Sequence, residues 1–175
     1  MDNKTKSANR FTTEIFSDKD SAEKAYDVAI HHGYKPEEIN VLMSEDSRKK
    51  YYDSVLVQKV PGNDALEGAG VGGMIGAAVG GTLGAIAAIG TSLVIPGLGL
   101  IIAGPLAAGL AGAGVGGISG GLVGALVGWG IPEDKAKIYE SGIKSGGIVL
   151  GINETSNTSN LEKDWKPYST TKKIY

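Results

Sequence analysis

The chain contains no cysteine, which excludes disulfides, thiolate nucleophiles and thiolate metal sites. Histidine occurs only as the adjacent pair His31-His32. Neighbouring helical residues point ~100° apart, which makes that pair a poor joint metal ligand and a solvated helix end the better reading. No strong excess of either charge is present: the formal net charge of −2 gives no reason to expect a nucleic-acid partner. The first ten residues, MDNKTKSANR, carry no apolar run and no cleavage-like site. The reading is therefore no signal peptide and a cytosolic start.

The largest absence is internal. Between Glu67 and Glu133 stand 65 residues without a single Asp, Glu, Lys, Arg or His, and 22 of them are glycine. All formal charges lie in residues 1–67 and 133–175, a division that an ordinary soluble composition would not produce.

The polar parts read as a small α/β domain. Residues 1–9 look like a disordered arm. Arg10–Phe16, rich in aromatic and β-branched types, predicts a strand. Ser17–Asp20 supply N-caps for a helix whose apolar face is Ala22, Ala25, Tyr26, Ala29 and Ile30, with Gly33 placed to end it. Ile39–Met43 predicts a second strand, residues 44–53 a loop or short helix, and Ser54–Val60 a third strand closed by Pro61-Gly62. After the apolar region, Pro132 with Glu133-Asp134 marks a helix start. Ala136, Ile138, Tyr139 and Ile143 form its apolar side, Gly146-Gly147 ends it, and Ile148–Ile152 predicts a last strand. Residues 153–175 are rich in Ser, Thr and Asn and read as a disordered polar tail. This order suits an α+β class, a small ferredoxin-like or split βαβ domain made of residues 10–62 and 132–152. Residues 63–131 interrupt it as a glycine-rich antiparallel helical hairpin.

That insertion is internally repeated. GAGVGG occurs at 68–73 and 112–117, and ten of 17 aligned positions are identical over 68–84 and 112–128. Gly68, Gly72, Gly76, Gly80 and Gly84 recur every four residues in the first arm. Gly112, Gly116, Gly120, Gly124 and Gly128 do so in the second, and four-residue spacing places each set on one helix face. Each glycine costs a helix in water roughly 1 kcal/mol against alanine. Summed over the arms this exceeds the ~5–15 kcal/mol net stability of a domain, so isolated arms should not be helical in water. A bilayer, where backbone hydrogen bonds must close internally, and close backbone approach along glycine ridges both reverse the balance. As helices, Gly68–Ile95 would rise ~42 Å and Leu106–Ile131 ~39 Å, against a hydrocarbon core of ~30 Å. Asp64 with Glu67 makes a capping-box pattern, Trp129 sits where an interfacial aromatic is expected, and Lys59, Lys135 and Lys137 flank the run, which places both flanks in the cytosol. The turn, residues 96–105 with Pro96, Gly97, Gly104 and Pro105, has no polar side chain. A full crossing, a dip into the bilayer and a tip buried in an oligomer all remain open.

Other motifs weaken on inspection. GAGVGG matches a dinucleotide fingerprint, but no acid follows it before Glu133. Glu37-Glu38 and Glu133-Asp134 resemble helix-start acids. Arg48-Lys49-Lys50 with Tyr51-Tyr52 suits either anionic lipid headgroups or, better, a solvated loop. Three sequon matches (Asn3, Asn153, Asn157) are discounted without a secretory signal. No catalytic constellation, metal site or cofactor is expected, and no small-molecule substrate is evident.

The exit segment carries a resemblance. Gly130-Ile131-Pro132 with Ala136 and Tyr139, followed by Gly146-Gly147 and an apolar strand, resembles bacterial general stress proteins of the heat-induced YflT and 17M-like type, some called low-temperature-induced. Ile95-Pro96-Gly97, Ala103-Gly104-Pro105-Leu106 and Gly33–Ile39 fit the same pattern, which covers roughly residues 10–152. The polar tail departs from it, because such proteins often continue with another helix. The resemblance implies stress-linked expression and membrane association but no reaction. The expectation is a non-enzymatic stress-associated protein of the cytoplasmic membrane, its α/β domain on the cytosolic side and anchored by a hairpin that meets lipid and self-associates. The alternatives are a cytoplasmic homo-oligomer whose hairpins form a shared core, and a membrane-perturbing or pore-forming factor.

Overall fold

The computed structural model describes residues 10–56, 93–95, 99–107, 121–154 and 160–170. Their elements, in chain order, are β1 (Arg10–Phe16), α1 (Lys19–His31), β2 (Ile39–Ser44), α2 (Glu45–Leu56), β3 (Leu93–Ile95), β4 (Leu100–Ala103), α3 (Gly121–Gly128), α4 (Glu133–Lys144), β5 (Ile148–Glu154) and α5 (Leu161–Trp165). A single 3-10 turn, Pro36–Glu38, leads into β2. The described strands form one sheet in the order β1-β5-β2-β4-β3, with every neighbouring pair antiparallel. The class is mixed α/β, as expected.

α1 forms where the sequence signals it. Asp18 caps it by accepting from the Ser21 N–H at 2.9 Å. Gly33, at φ +90°, carries the chain off its end, where Tyr34 N–H donates to the Ala29 carbonyl. Ala22, Ala25, Tyr26 and Ala29 are buried at the spacing of one helix face.

Alternation along the strands feeds two cores. Phe16, Ile39, Val41, Met43, Ile148 and Leu150 point to one side, where α1, Tyr52 of α2 and Trp165 of α5 cover them. Ile15, Leu42, Ile102 and Val149 point to the other, under Leu122 and Leu126 of α3 and Tyr139 and Ile143 of α4. Burial on both faces explains why β2 is apolar without interruption except at Asn40 and Ser44. β1 and β2 both run antiparallel to β5, which lies between them.

Four expectations require correction. Ser54–Leu56 continue helix α2 rather than a strand. Acids in its first turn and the Ser44 hydroxyl, which accepts from Ser47 N–H at 3.0 Å, start the helix earlier. The rest of the expected third strand, residues 57–60, lies outside the described residues. The tail is not wholly disordered: α5 buries Leu161 and Trp165 completely. These two are one helical turn apart in an otherwise polar segment, too sparse a pattern to show in sequence. The apolar turn at 96–105 is not the tip of a helical hairpin, because Leu100–Ala103 pair with β2, Val41 opposite Ala103 and Ser44 opposite Leu100. Its β-branched, unbroken apolar character is that of a strand covered on both faces. Accordingly residues 63–131 do not form one uninterrupted helical hairpin, since β3 and β4 lie between the two glycine arms and join the sheet.

Candidate functional site

The glycine arms were the expected functional feature, and the structure shows how the second is rooted. Asn40 is a buried amide in an otherwise apolar strand. Its Nδ2 donates to the Gly151 carbonyl at 3.0 Å, and its Oδ1 accepts from the Leu106 N–H at 2.7 Å. It thereby joins β5 to the helical turn that follows β4 and satisfies a donor at that turn's start. Gly104 makes the close approach possible. Its φ is +99°, and a Cβ there would sit 2.5 Å from the Ile39 carbonyl oxygen and 2.9 Å from Asn40 Cα. Of the expected turn residues, Gly104 and Pro105 thus lie at the exit of β4. Pro96 and Gly97 lie outside the described residues.

α3 is the described end of the second arm. Leu122, Ala125 and Leu126 are buried, the two leucines in the core beneath the sheet. Gly124 and Gly128 lie on another side of the helix, and a Cβ on either would meet nothing within 4 Å among the described residues. Val127 beside them is 43% exposed. The helix therefore sets its leucines on the core and turns its glycines away. Gly68, Gly72, Gly76, Gly80, Gly84, Gly112, Gly116 and Gly120 lie outside the described residues, so the pairing of the two ridges does too. Among the described residues, no helix is long and apolar enough to cross a membrane.

α3 and α4 meet at Gly130, φ +84°, and α4 is fastened to β1 by polar contacts. The Tyr139 hydroxyl donates to the Thr13 carbonyl at 2.7 Å, and Lys135 Nζ donates to the same oxygen at 2.6 Å. Burial pushes the Tyr139 phenol well above its ordinary pKa, against the opposing effect of its bond with Thr13. It is a neutral donor at physiological pH, serving attachment. Tyr26 is likewise pushed up to about 12 by burial and by the nearby charges of Glu37 and Asp27.

The remaining candidates have structural roles. His31 Nδ1 lies 2.7 Å from the Asp27 carbonyl, while His32 Nε2 bonds Asp164 at 2.9 Å and ties α1 to α5. Glu37-Glu38 and Glu133-Asp134 occupy first helical turns. The basic-aromatic cluster is divided: Lys49 pairs with Glu45, Lys50 covers the Tyr51 ring, and Tyr52 is in the core. Among the described residues, no group of three or more His, Asp or Glu is placed to hold a metal ion. Asn40 and Trp165 fasten elements together and were not singled out from the sequence. Only the lone amide within INVLM hinted at the first. No family model, curated protein or solved structure matches the chain.

Proposed function

We propose that this is a non-enzymatic, stress-associated protein whose α/β domain is held at the cytosolic face of a membrane by self-associating glycine arms. The observation that carries the reading is the glycine face of α3, turned away from a core that its leucines already fill. Glycine ridges of this kind favour close helix contact, and the matching ridge Gly68–Gly84 is the natural partner, from the same chain or a second copy. The ferredoxin-like reading of the sheet rests on the order of its elements, and the stress link on the resemblance described above.

The place of β4 changes how such an anchor would work. With Leu100–Ala103 inside the sheet, the described chain belongs to the domain on both sides of each arm. The stretch between Ala107 and Gly121 would rise only ~20 Å even as continuous helix, short of the ~30 Å hydrocarbon core. Shallow insertion or arm-to-arm packing fits where two full crossings do not. A second reading, a homo-oligomer with the arms as shared core, draws support from the same shortness.

The test compares the wild-type chain with Gly124→Leu by vesicle flotation and by cross-linking. Wild type is expected to float and to cross-link into oligomers. Gly124→Leu should leave the α/β core folded, because a Cβ there meets no described atom within 4 Å, yet lose at least half of its cross-linked species. Cross-linked particles that stay with the soluble fraction would select the second reading. A monodisperse wild-type monomer would sink both.

A further inference from the structure

A cleft of about 330 Å³ opens where the end of β1 meets the end of α4 and the residues after α5. It is separate from the glycine face and lies at the small end of the ~300–1,000 Å³ usual for small-molecule sites. Ile15, Phe16 and Ile138 give it an apolar floor, and the polar side chains lining it are hydroxyls: Ser17, Ser141, Ser145 and Thr170. Among the described residues, no charged side chain lines it. Thr170 Oγ1 is buried and has no hydrogen-bond partner, a condition that costs about 1–3 kcal/mol unless something fills it.

The chemistry of the wall selects among ligands. Ser17 Oγ already donates to Asp18 Oδ2 at 2.8 Å, and Ser145 Oγ donates to the Ser141 carbonyl at 2.9 Å. Both hydroxyls have spent their proton and can only accept from a ligand. The C-terminal end of α4 and the neighbouring Asp18 carboxylate disfavour an anion. Asp18 already accepts from Ser17 Oγ, Ser21 N–H and Ser21 Oγ and does not itself line the cleft, so a desolvated ammonium would find no free carboxylate among the described lining residues. From the cavity, the orphan hydroxyl and this donor balance, we infer that the cleft binds a neutral single-chain amphiphile, with its hydroxyl-bearing head at Ser17, Ser145 and Thr170 and its hydrocarbon on Ile15, Phe16 and Ile138.

The experiment uses the full chain and calorimetric titration with 1-monooctanoylglycerol below its micelle concentration, with octanoate and octylamine as charged controls. Saturable one-to-one binding is expected, at least tenfold tighter than either control, with a rise in the thermal midpoint. Ser141→Leu, at an exposed helical position, fills the cleft and should abolish binding without lowering the midpoint of the free protein. Thr170→Val, which keeps the shape and removes the hydroxyl, should weaken binding about fivefold. Gly124→Leu, on α3 at a position that does not line the cleft, should bind normally, so failure of the anchoring proposal leaves this one standing. Absence of saturable binding, equal binding of octanoate or octylamine, or undiminished binding by both cleft variants would each overturn it.

Discussion

At the scale of single residues, small side chains and one amide decide where the backbone can go. Gly104 sits at φ +99° with the Ile39 carbonyl and Asn40 Cα against the position a Cβ would take. Gly104→Ala must bear left-handed strain of about 1–2 kcal/mol and also displace β2 backbone. A loss of more than 2 kcal/mol is expected from urea unfolding. Asp18 offers a pH-dependent counterpart. Partial burial raises its pKa, but the hydrogen bonds from the Ser21 amide and the Ser17 and Ser21 hydroxyls outweigh that and hold it below 3.8. A depressed folded pKa adds stability that is present above the unfolded value and disappears as the pH falls through the folded one. Asp18→Ala should therefore cost ~1 kcal/mol at pH 7. The gap to wild type should narrow once the pH drops below about 4. A gap that stays constant down to pH 2.5 would refute the assignment.

At the scale of elements, α5 shows how little sequence pattern a buried helix requires. It is five residues long, below the length at which helices persist alone in water. Packing sustains it: the Trp165 indole N–H donates to the Ala25 carbonyl at 2.7 Å, its ring meets Phe16 edge-on at 5.9 Å, and His32 bonds Asp164. Trp165→Ala should destabilise the domain by ~3–5 kcal/mol, readable as a lowered midpoint in thermal or urea melts. An effect under 1 kcal/mol would mean that the segment is not docked in solution. α1 is the contrasting case, because its cap, its apolar face and its terminal glycine are all local. Those signals were legible from Asp18, Ala22–Ala29 and Gly33 alone.

At the scale of the whole molecule, the sheet decides the topology of the uncharged run. β4 lies between β2 and β3, and Leu100 is only 3% exposed. In a chain without native cysteine, Leu100→Cys should resist an impermeant thiol reagent from either side of a membrane and react only after denaturation. Rapid labelling from the non-cytosolic side would restore the two-span hairpin and overturn the sheet's order. Both faces of the sheet are covered, α1, α2 and α5 on one and α3 and α4 on the other. The domain therefore buries apolar side chains on both sides of one sheet.

The sequence by itself determined what local chemistry determines. It placed β1, α1, β2, α4 and β5, because caps, helical periodicity, β-branched runs and punctuating glycines act within a few residues. It also revealed the duplicated glycine spacing, which is a covalent fact. Only the tertiary structure decided the partners. The strand character of Leu100–Ala103 depends on β2, 56 or more residues earlier; without that neighbour the same apolar run reads as a membrane turn. Trp165 depends on Ala25 and Phe16, and the amide of Asn40 on Gly151 and Leu106. An apolar segment reports that it must be buried and leaves open what buries it. Lipid, a second copy and the chain's own sheet are equivalent to a hydropathy pattern, and they differ only in the hydrogen-bond ladder that one of them supplies.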